Sequence, residues 1–307
     1  MGDRHCIIDG PLRDAHLDAL REATYVVVRQ DLTRAEWGSF ARAYGASSRP
    51  RIDVFIESLR APTFLEHFGE LPELRIESRK LKSLEGIEHV APSLRRLHIG
   101  PAASKAVSLR PLAALQSLRY VWLDGHRKHL DAVQALAALE TIELRGSTLP
   151  SLDFVASLPK LRTLALWGGG TSGATLEALT QAPALATFML SRNRAVDDVS
   201  VVARLPHLET LFLDLLVNVG SLPSLAPCRH LRALRLDTMK GLHDLTPLAA
   251  APALTELRLL NMPQLEVASF KPLLGHPTLA RLSFEFGSAE KNEAVRAMFP
   301  KLADAQD

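Results

Sequence analysis

Hydrophobic positions recur along the chain in a six-residue figure, Leu-x-x-Leu-x-Leu, with Ile, Val or Phe standing in for leucine. It reads LPELRI from Leu71, LRRLHI from Leu94, LRYVWL from Leu118, LETIEL from Leu139 and LRTLAL from Leu161. It continues as LATFML from Leu185, LETLFL from Leu208, LRALRL from Leu231, LTELRL from Leu254 and LARLSF from Leu279. Successive starts are 21 to 25 residues apart. The Leu-x-Leu end of each unit alternates with a period of two, which predicts a strand with one buried face. Between strands the apolar spacing becomes three, as in Leu109, Leu112 and Leu115, Leu130, Val133 and Leu136, Leu152, Val155 and Leu158, and Val199, Val202 and Leu205. That spacing suits 3-10 turns or short helices. A proline two residues before the repeat leucine (Pro92, Pro159, Pro183, Pro206, Pro252 and Pro277) ends the turn and biases the residue before it toward an extended form. Each unit therefore leaves its apolar side unburied until neighbours stack on it.

Upstream of Leu71 the figure degenerates. Tyr25–Val28 and Ile52–Ile56 read as strands, and Thr33 to Gly45 as an amphipathic helix capped by Thr33, with Trp37, Phe40 and Tyr44 on one face. The expected organisation is a single solenoid: residues 1–70 as degenerate repeats or an N-terminal cap, 71–288 as ten repeats, and 289–307 as a capping helix and tail. Val295, Met298 and Phe299 would face inward from that helix.

The repeated figure resembles that of leucine-rich repeat proteins, in the short-repeat class that includes the bacterial internalins, from residue 71 to the C-terminus. The resemblance implies an α/β solenoid, a right-handed horseshoe with a concave parallel β-sheet and short helices or 3-10 turns on the convex side. The family usually places Asn eight residues after the first leucine. Those places hold Arg79, Ala102, His126, Ser147, Gly169, Asn193, Leu216, Met239, Met262 and Gly287, so only Asn193 fits and the turns should vary in shape. This is a divergent member.

Charge narrows the classes of partner. Among 307 residues, 36 Lys+Arg oppose 34 Asp+Glu for a net charge of +2, too even for a nucleic-acid or anionic-membrane binder. With 47% apolar and 23% charged residues the composition is that of a globular protein. Two cysteines, Cys6 and Cys228, make no disulfide framework and suit a reducing cytosol. The opening MGDRHCIIDG lacks an apolar leader core, and no run approaches the ~18 residues of a membrane span. A cytoplasmic protein, monomeric outside its complex, is expected.

Candidate chemistry is thin. Gly168 to Thr175 (GGGTSGAT) matches a phosphate loop except that Ala174 replaces the lysine that would supply the charge for the phosphates. It reads better as a glycine-rich turn. His126, His129 and Asp131 lie in one inter-repeat turn without a second ligand group at zinc-like spacing. Cys228 stands three before Leu231, as Leu115 does before Leu118, so it fills a core slot rather than pairing with His230 in catalysis; His276 occupies the same slot in the last unit. No catalytic constellation can be assembled, and neither enzyme activity, cofactor nor metal is expected.

The register leaves a solvent-side face. Its central column is Arg75, His98, Trp122, Glu143, Ala165, Met189, Phe212, Arg235, Arg258 and Ser283. One flank carries Asp124, Arg145, Trp167, Ser191, Asp214 and Asp237; the other carries Arg96, Tyr120, Thr210 and Glu256. A one-residue slip would turn the leucines outward in every repeat, which fixes the direction of these side chains. Apolar groups on such a face mark an interaction site, and Trp, Tyr and Arg are preferred anchors. The expected partner-binding set is Tyr120, Trp122, Asp124, Glu143, Arg145, Trp167, Met189, Phe212, Asp214, Arg235, Asp237 and Arg258. The aromatic region covers roughly 400 Å² at ordinary strand spacings, against about 800 Å² per partner in a standard interface. It serves as an apolar core within a charged rim, and a folded protein is the expected partner. A non-enzymatic protein-interaction module is the expected function. A bacterial immunity protein neutralising a toxin leads among its roles, ahead of a secreted host-directed effector or a scaffold or regulator of an enzyme.

Overall fold

The repeat leucines set the register of every strand. The computed structural model describes residues 5–104 and 106–302. Residues 1–4 and 303–307, the extremities of the first and last segments expected above, lie outside the described residues, as does residue 105. The chain divides into two compact units, Met1–Ser147 and Thr148–Asp307.

The first unit contains β1 (His5–Ile8), β2 (Tyr25–Val28), β3 (Arg51–Val54), β4 (Glu73–Ile76), β5 (Arg96–Ile99), β6 (Tyr120–Asp124) and β7 (Thr141–Arg145). They pair in parallel and in chain order. Alternate residues such as Val26 and Val28, Leu74 and Ile76, or Val121 and Leu123 are buried in the core, each contributing roughly 2 kcal/mol relative to exposure. Two α-helices make the early crossovers, α1 (Asp14–Leu20) and α2 (Arg34–Gly45). Thr33 starts α2 with a reciprocal cap: its Oγ1 accepts from the Glu36 N–H at 3.3 Å, while the Glu36 carboxylate accepts from the Thr33 N–H at 2.8 Å. Trp37, Phe40 and Tyr44 are buried as their spacing demands, and Trp37 stacks on Phe64 at 4.3 Å. Later crossovers shrink to 3-10 turns at Ile87–Val90, Arg110–Ala114 and Leu130–Ala135, where apolar spacing falls to three.

The second unit contains β8 (Thr163–Trp167), a short α3 (Gly173–Leu176), β9 (Thr187–Ser191), β10 (Thr210–Asp214) and β11 (Ala233–Asp237). After these come a one-turn α4 (Thr246–Ala249), β12 (Glu256–Leu260), β13 (Arg281–Phe284) and α5 (Ala289–Met298). Its strands also pair in parallel in chain order. Ser288 caps α5 by accepting from the Lys291 N–H at 3.4 Å. Val295 is fully buried, and Met298 and Phe299 are half-buried, Phe299 lying 6.5 Å from Phe270.

The turns that end the strands differ from the asparagine rule in a regular way. From Leu118 to Leu254 the residue seven after the repeat leucine is left-handed: Gly125 (φ 74°) and Gly146 (φ 63°) in the first unit, then Gly168 (71°), Arg192 (55°), Leu215 (51°), Thr238 (52°) and Asn261 (52°) in the second. Its N–H donates forward to the next strand, as from Gly125 to Arg145 O at 2.7 Å and from Leu215 to Asp237 O at 3.0 Å. The next position, where asparagine was expected, is buried at His126, Ser147, Asn193, Leu216, Met239 and Met262 and exposed at Gly169, and polar groups near it are met by varied chemistry. The His126 ring bonds Gly100 O at 2.9 Å, Ser147 Oγ donates to His126 O at 3.2 Å, and Asn193 Oδ1 accepts from the Ala195 N–H at 3.2 Å. Further on, Met262 Sδ accepts from the Met239 N–H at 3.2 Å, and Gln264 Nε2 donates to Met239 O at 2.7 Å. Methionine can occupy this place because the Met262 sulfur and the Gln264 amide take over part of the asparagine's work.

Candidate functional site

On the solvent side of the first unit polar side chains bond one another, although His98 Nε2 is buried without a hydrogen-bond partner. Asp53, in the central column of β3, is completely buried. It accepts from Tyr25 Oη at 2.6 Å and from Arg51 Nε and Nη2 at 2.8 and 3.0 Å. Arg75 lies 3.8 Å from Asp53 and pairs with Glu77. Burial, then the bonded Asp53 carboxylate, raises the Tyr25 pKa. In β5, His98 stacks on Trp122 with ring centres 3.6 Å apart. Burial first, and then the charges of Arg75 and Arg51, pushes the His98 pKa down to about 3. Arg96 lies over the Tyr120 ring at 4.1 Å, and Tyr120 Oη donates to Glu143 Oε1 at 3.1 Å. Burial, followed by the Glu143 charge, pushes the Tyr120 pKa up to about 12. Arg145 and Asp124 are 4.0 Å apart. The remaining space, about 90 Å³ lined chiefly by Arg51, Arg75, Arg96, His98 and Tyr120, has room for little more than water.

The second unit presents a different surface. Trp167, Met189 and Phe212 come together through the β8–β9–β10 register, with the Trp167 and Phe212 ring centres 6.0 Å apart and nearly edge to face. They form the wall of a shallow depression of about 350 Å³ whose floor includes Thr210, Leu211, Ala233 and Leu234. Arg235, Glu256 and Arg258 close its far side. Arg235 lies over the Phe212 ring at 4.8 Å and bonds Asp237 Oδ2 through Nη2 at 3.0 Å; its Nε is buried without a hydrogen-bond partner. Glu256 accepts from Arg258 Nε at 2.9 Å and from Arg281 Nη2 at 2.6 Å. The Arg281 bond leads in holding the Glu256 carboxyl below its usual range.

All twelve residues expected from the register lie on the solvent side of their strands. The five large apolar or aromatic ones are half-buried rather than exposed, because each rests on a neighbour. Asp237, expected among the partner-binding residues, is only 8% exposed. Burial works to raise its pKa, but bonds from Asn261 (2.9 Å), Arg235 and Thr238 (2.9 Å) outweigh it and hold the carboxyl below its usual range. Asp214 is likewise engaged, accepting from Ser191 Oγ at 2.6 Å. Sequence reasoning missed the Asp53 cluster; carrying the column layout upstream into β2 and β3 would have brought Tyr25, Arg51 and Asp53 onto the face.

The other candidates have structural occupations. Gly168 and Gly169 make a left-handed turn, and Ser172 Oγ caps α3 by accepting from the Thr175 N–H at 3.3 Å. His126 is buried against Gly100 O, and His129 Nδ1 bonds Ser108 Oγ at 2.8 Å. Cys228 is buried, with its thiol pKa raised by burial. His276 Nδ1 accepts from the Leu279 N–H at 3.2 Å. Among the described residues no group of three or more His, Cys, Asp or Glu could hold a metal ion, and no helix is long and apolar enough to cross a membrane.

No protein-family model matches the chain, and no curated protein matches it either. Solved structures do. Internalin InlF of Listeria monocytogenes is 17% identical, with a TM-score of 0.55 over 79% of this chain and 76% of that one. TLR13, in its complex with ssRNA13, is 15% identical with a TM-score of 0.56 over 97% of this chain, which spans 50% of the TLR13 chain. Internalin C2 of Listeria monocytogenes is 20% identical over 72% of this chain and 83% of that one, with a TM-score of 0.46.

Proposed function

We propose that this chain, a divergent protein of the leucine-rich repeat fold, is a protein-binding module that docks its partner on the solvent side of its strands, with the depression of the second unit at the centre. The observation that carries this reading is an apolar wall of Trp167, Met189 and Phe212 round open space, whereas Trp122 and Tyr120 of the first unit are covered by His98 and Arg96. Half-buried aromatics beside arginine are the usual anchors of protein interfaces. The depression is shallow and open, which favours a protein segment over a small molecule held in an enclosed pocket. The module acts by binding rather than by catalysis, in the cytoplasm.

Capture on immobilised protein from the native host tests this. A partner retained by the wild type and by Arg204→Ala, whose side chain pairs with Glu177 outside this face, should be lost with Phe212→Ala or Trp167→Ala. A partner indifferent to both and sensitive to Arg204→Ala overturns the reading. The narrower role is that of an immunity protein neutralising a dedicated toxin, with a host-directed effector or an enzyme scaffold as alternatives. Co-expression with the product of an adjacent gene tests it: relief of toxicity that disappears with Phe212→Ala supports neutralisation, and a harmless neighbour counts against it.

A further inference from the structure

The rim of the second-unit depression constrains what can enter it. Its walls are apolar, so the group that fills it is an aromatic or long aliphatic side chain. Its far side carries two guanidinium groups, Arg235 and Arg258, against one lining carboxylate, Glu256. That carboxylate is shared between Arg258 and Arg281, and Asp237 already takes bonds from Asn261, Thr238 and Arg235. Arg235 is the least satisfied of these groups: its Nε–H lacks an acceptor, on a guanidinium that rests on the Phe212 ring. The Arg235 side chain is 39% exposed, so a carboxylate arriving from the solvent side can reach the open part of the guanidinium.

Resting on the docking role proposed above, we infer that the partner enters with an acidic–apolar segment: an Asp or Glu carboxylate that pairs with the exposed part of the Arg235 guanidinium, next to an apolar side chain seated on Phe212, Met189 and Trp167. Arg235 lies on Phe212, so a carboxylate bound to the guanidinium brings its chain neighbours directly over the apolar wall. A planar guanidinium also offers paired donors that match a carboxylate. A basic segment would meet like charge at Arg235 and Arg258 and is disfavoured.

The test is selection from a phage-displayed library of random dodecapeptides on the full chain, followed by calorimetry with the enriched peptides. Enriched sequences should carry Asp or Glu close to an aromatic or long aliphatic residue. Arg235→Gln should weaken their binding roughly tenfold and flatten its salt dependence, and Phe212→Ala should weaken it at least as much. Arg258→Gln serves beside Arg235→Gln should the latter unfold. Apolar peptides without acidic residues, sensitive to Phe212→Ala but not to Arg235→Gln, would overturn this inference and leave the docking role standing. Enrichment of basic peptides would do the same. Binding indifferent to Phe212→Ala, or no enrichment at all, would overturn both.

Discussion

The solvent-side faces of the two units use the same strand geometry to opposite ends. In the first unit a buried carboxylate, Asp53, gathers Tyr25 and Arg51 with Arg75 close by, while Trp122 is covered by His98 and Tyr120 by Arg96. In the second, Trp167, Met189 and Phe212 stand round open space, and only Arg235 lies over one of them. Burial alone does not distinguish the two sets, since Trp122, Trp167 and Phe212 are all half-buried. What differs is whether the remaining surface is polar and bonded chiefly within itself or apolar and waiting for cover. Trp122 thus reads as part of the first unit's own packing, and Phe212 as an anchor.

The largest expected effect breaks the first unit. Asp53→Ala removes the shared acceptor of Tyr25 and Arg51 and should cost about 3 kcal/mol of stability in urea unfolding; a loss below about 1 kcal/mol would mean the cluster holds little. Phe212→Ala should do the reverse, weakening partner binding by about 2 kcal/mol while lowering stability by at most about 1 kcal/mol, since the ring is half outside the core.

A third effect depends on pH. His98 stays neutral when folded down to about pH 3, whereas an unfolded histidine titrates near ~6.5. Between these values the unfolded state binds the extra proton, so this contribution is complete above pH 6.5 and is lost as pH falls toward 3. From pH 7 to 5 the loss should be about 1–2 kcal/mol, reduced because the ring is 20% exposed. Melting curves of His98→Gln should show a shallower acid limb; an unchanged limb would assign the pH dependence to other groups. The smallest effect concerns the turns. Leu215→Gly relieves a left-handed side chain and should gain roughly 0.5 kcal/mol, whereas Gly146→Leu should lose about 1 kcal/mol. Equal effects of the two would show that the turn conformations are not maintained.

The legible parts of this fold were those encoded by periodicity. The Leu-x-Leu register placed β4 through β13, and spacing of three located the 3-10 turns such as Leu130–Ala135. Thr33 and the Trp37–Tyr44 spacing marked α2. β1 and α1 escaped notice because HCII offers only Cys6 and Ile8 to the core and α1 buries only Leu20, too few positions for a period to show. The face directions were legible, but the partners were not. Asp237 is buried by Asn261, and Asp53 by Tyr25, through contacts 24 and 28 residues apart that belong to cross-strand register rather than to local pattern. The left-handed turns were not legible for a related reason: glycine holds that place only at Gly125, Gly146 and Gly168, while Arg192, Leu215, Thr238 and Asn261 hold it elsewhere, so no residue type marks it.

Tryptophan emission on titration with the captured partner tests the contrast between the faces most directly. The chain has 3 Trp residues, and Trp37 is buried. A Trp122→Phe protein should keep the blue shift that accompanies covering of Trp167, and a Trp167→Phe protein should lose it. A shift that survives Trp167→Phe and vanishes with Trp122→Phe would contradict the assignment and move the docking centre to the first unit.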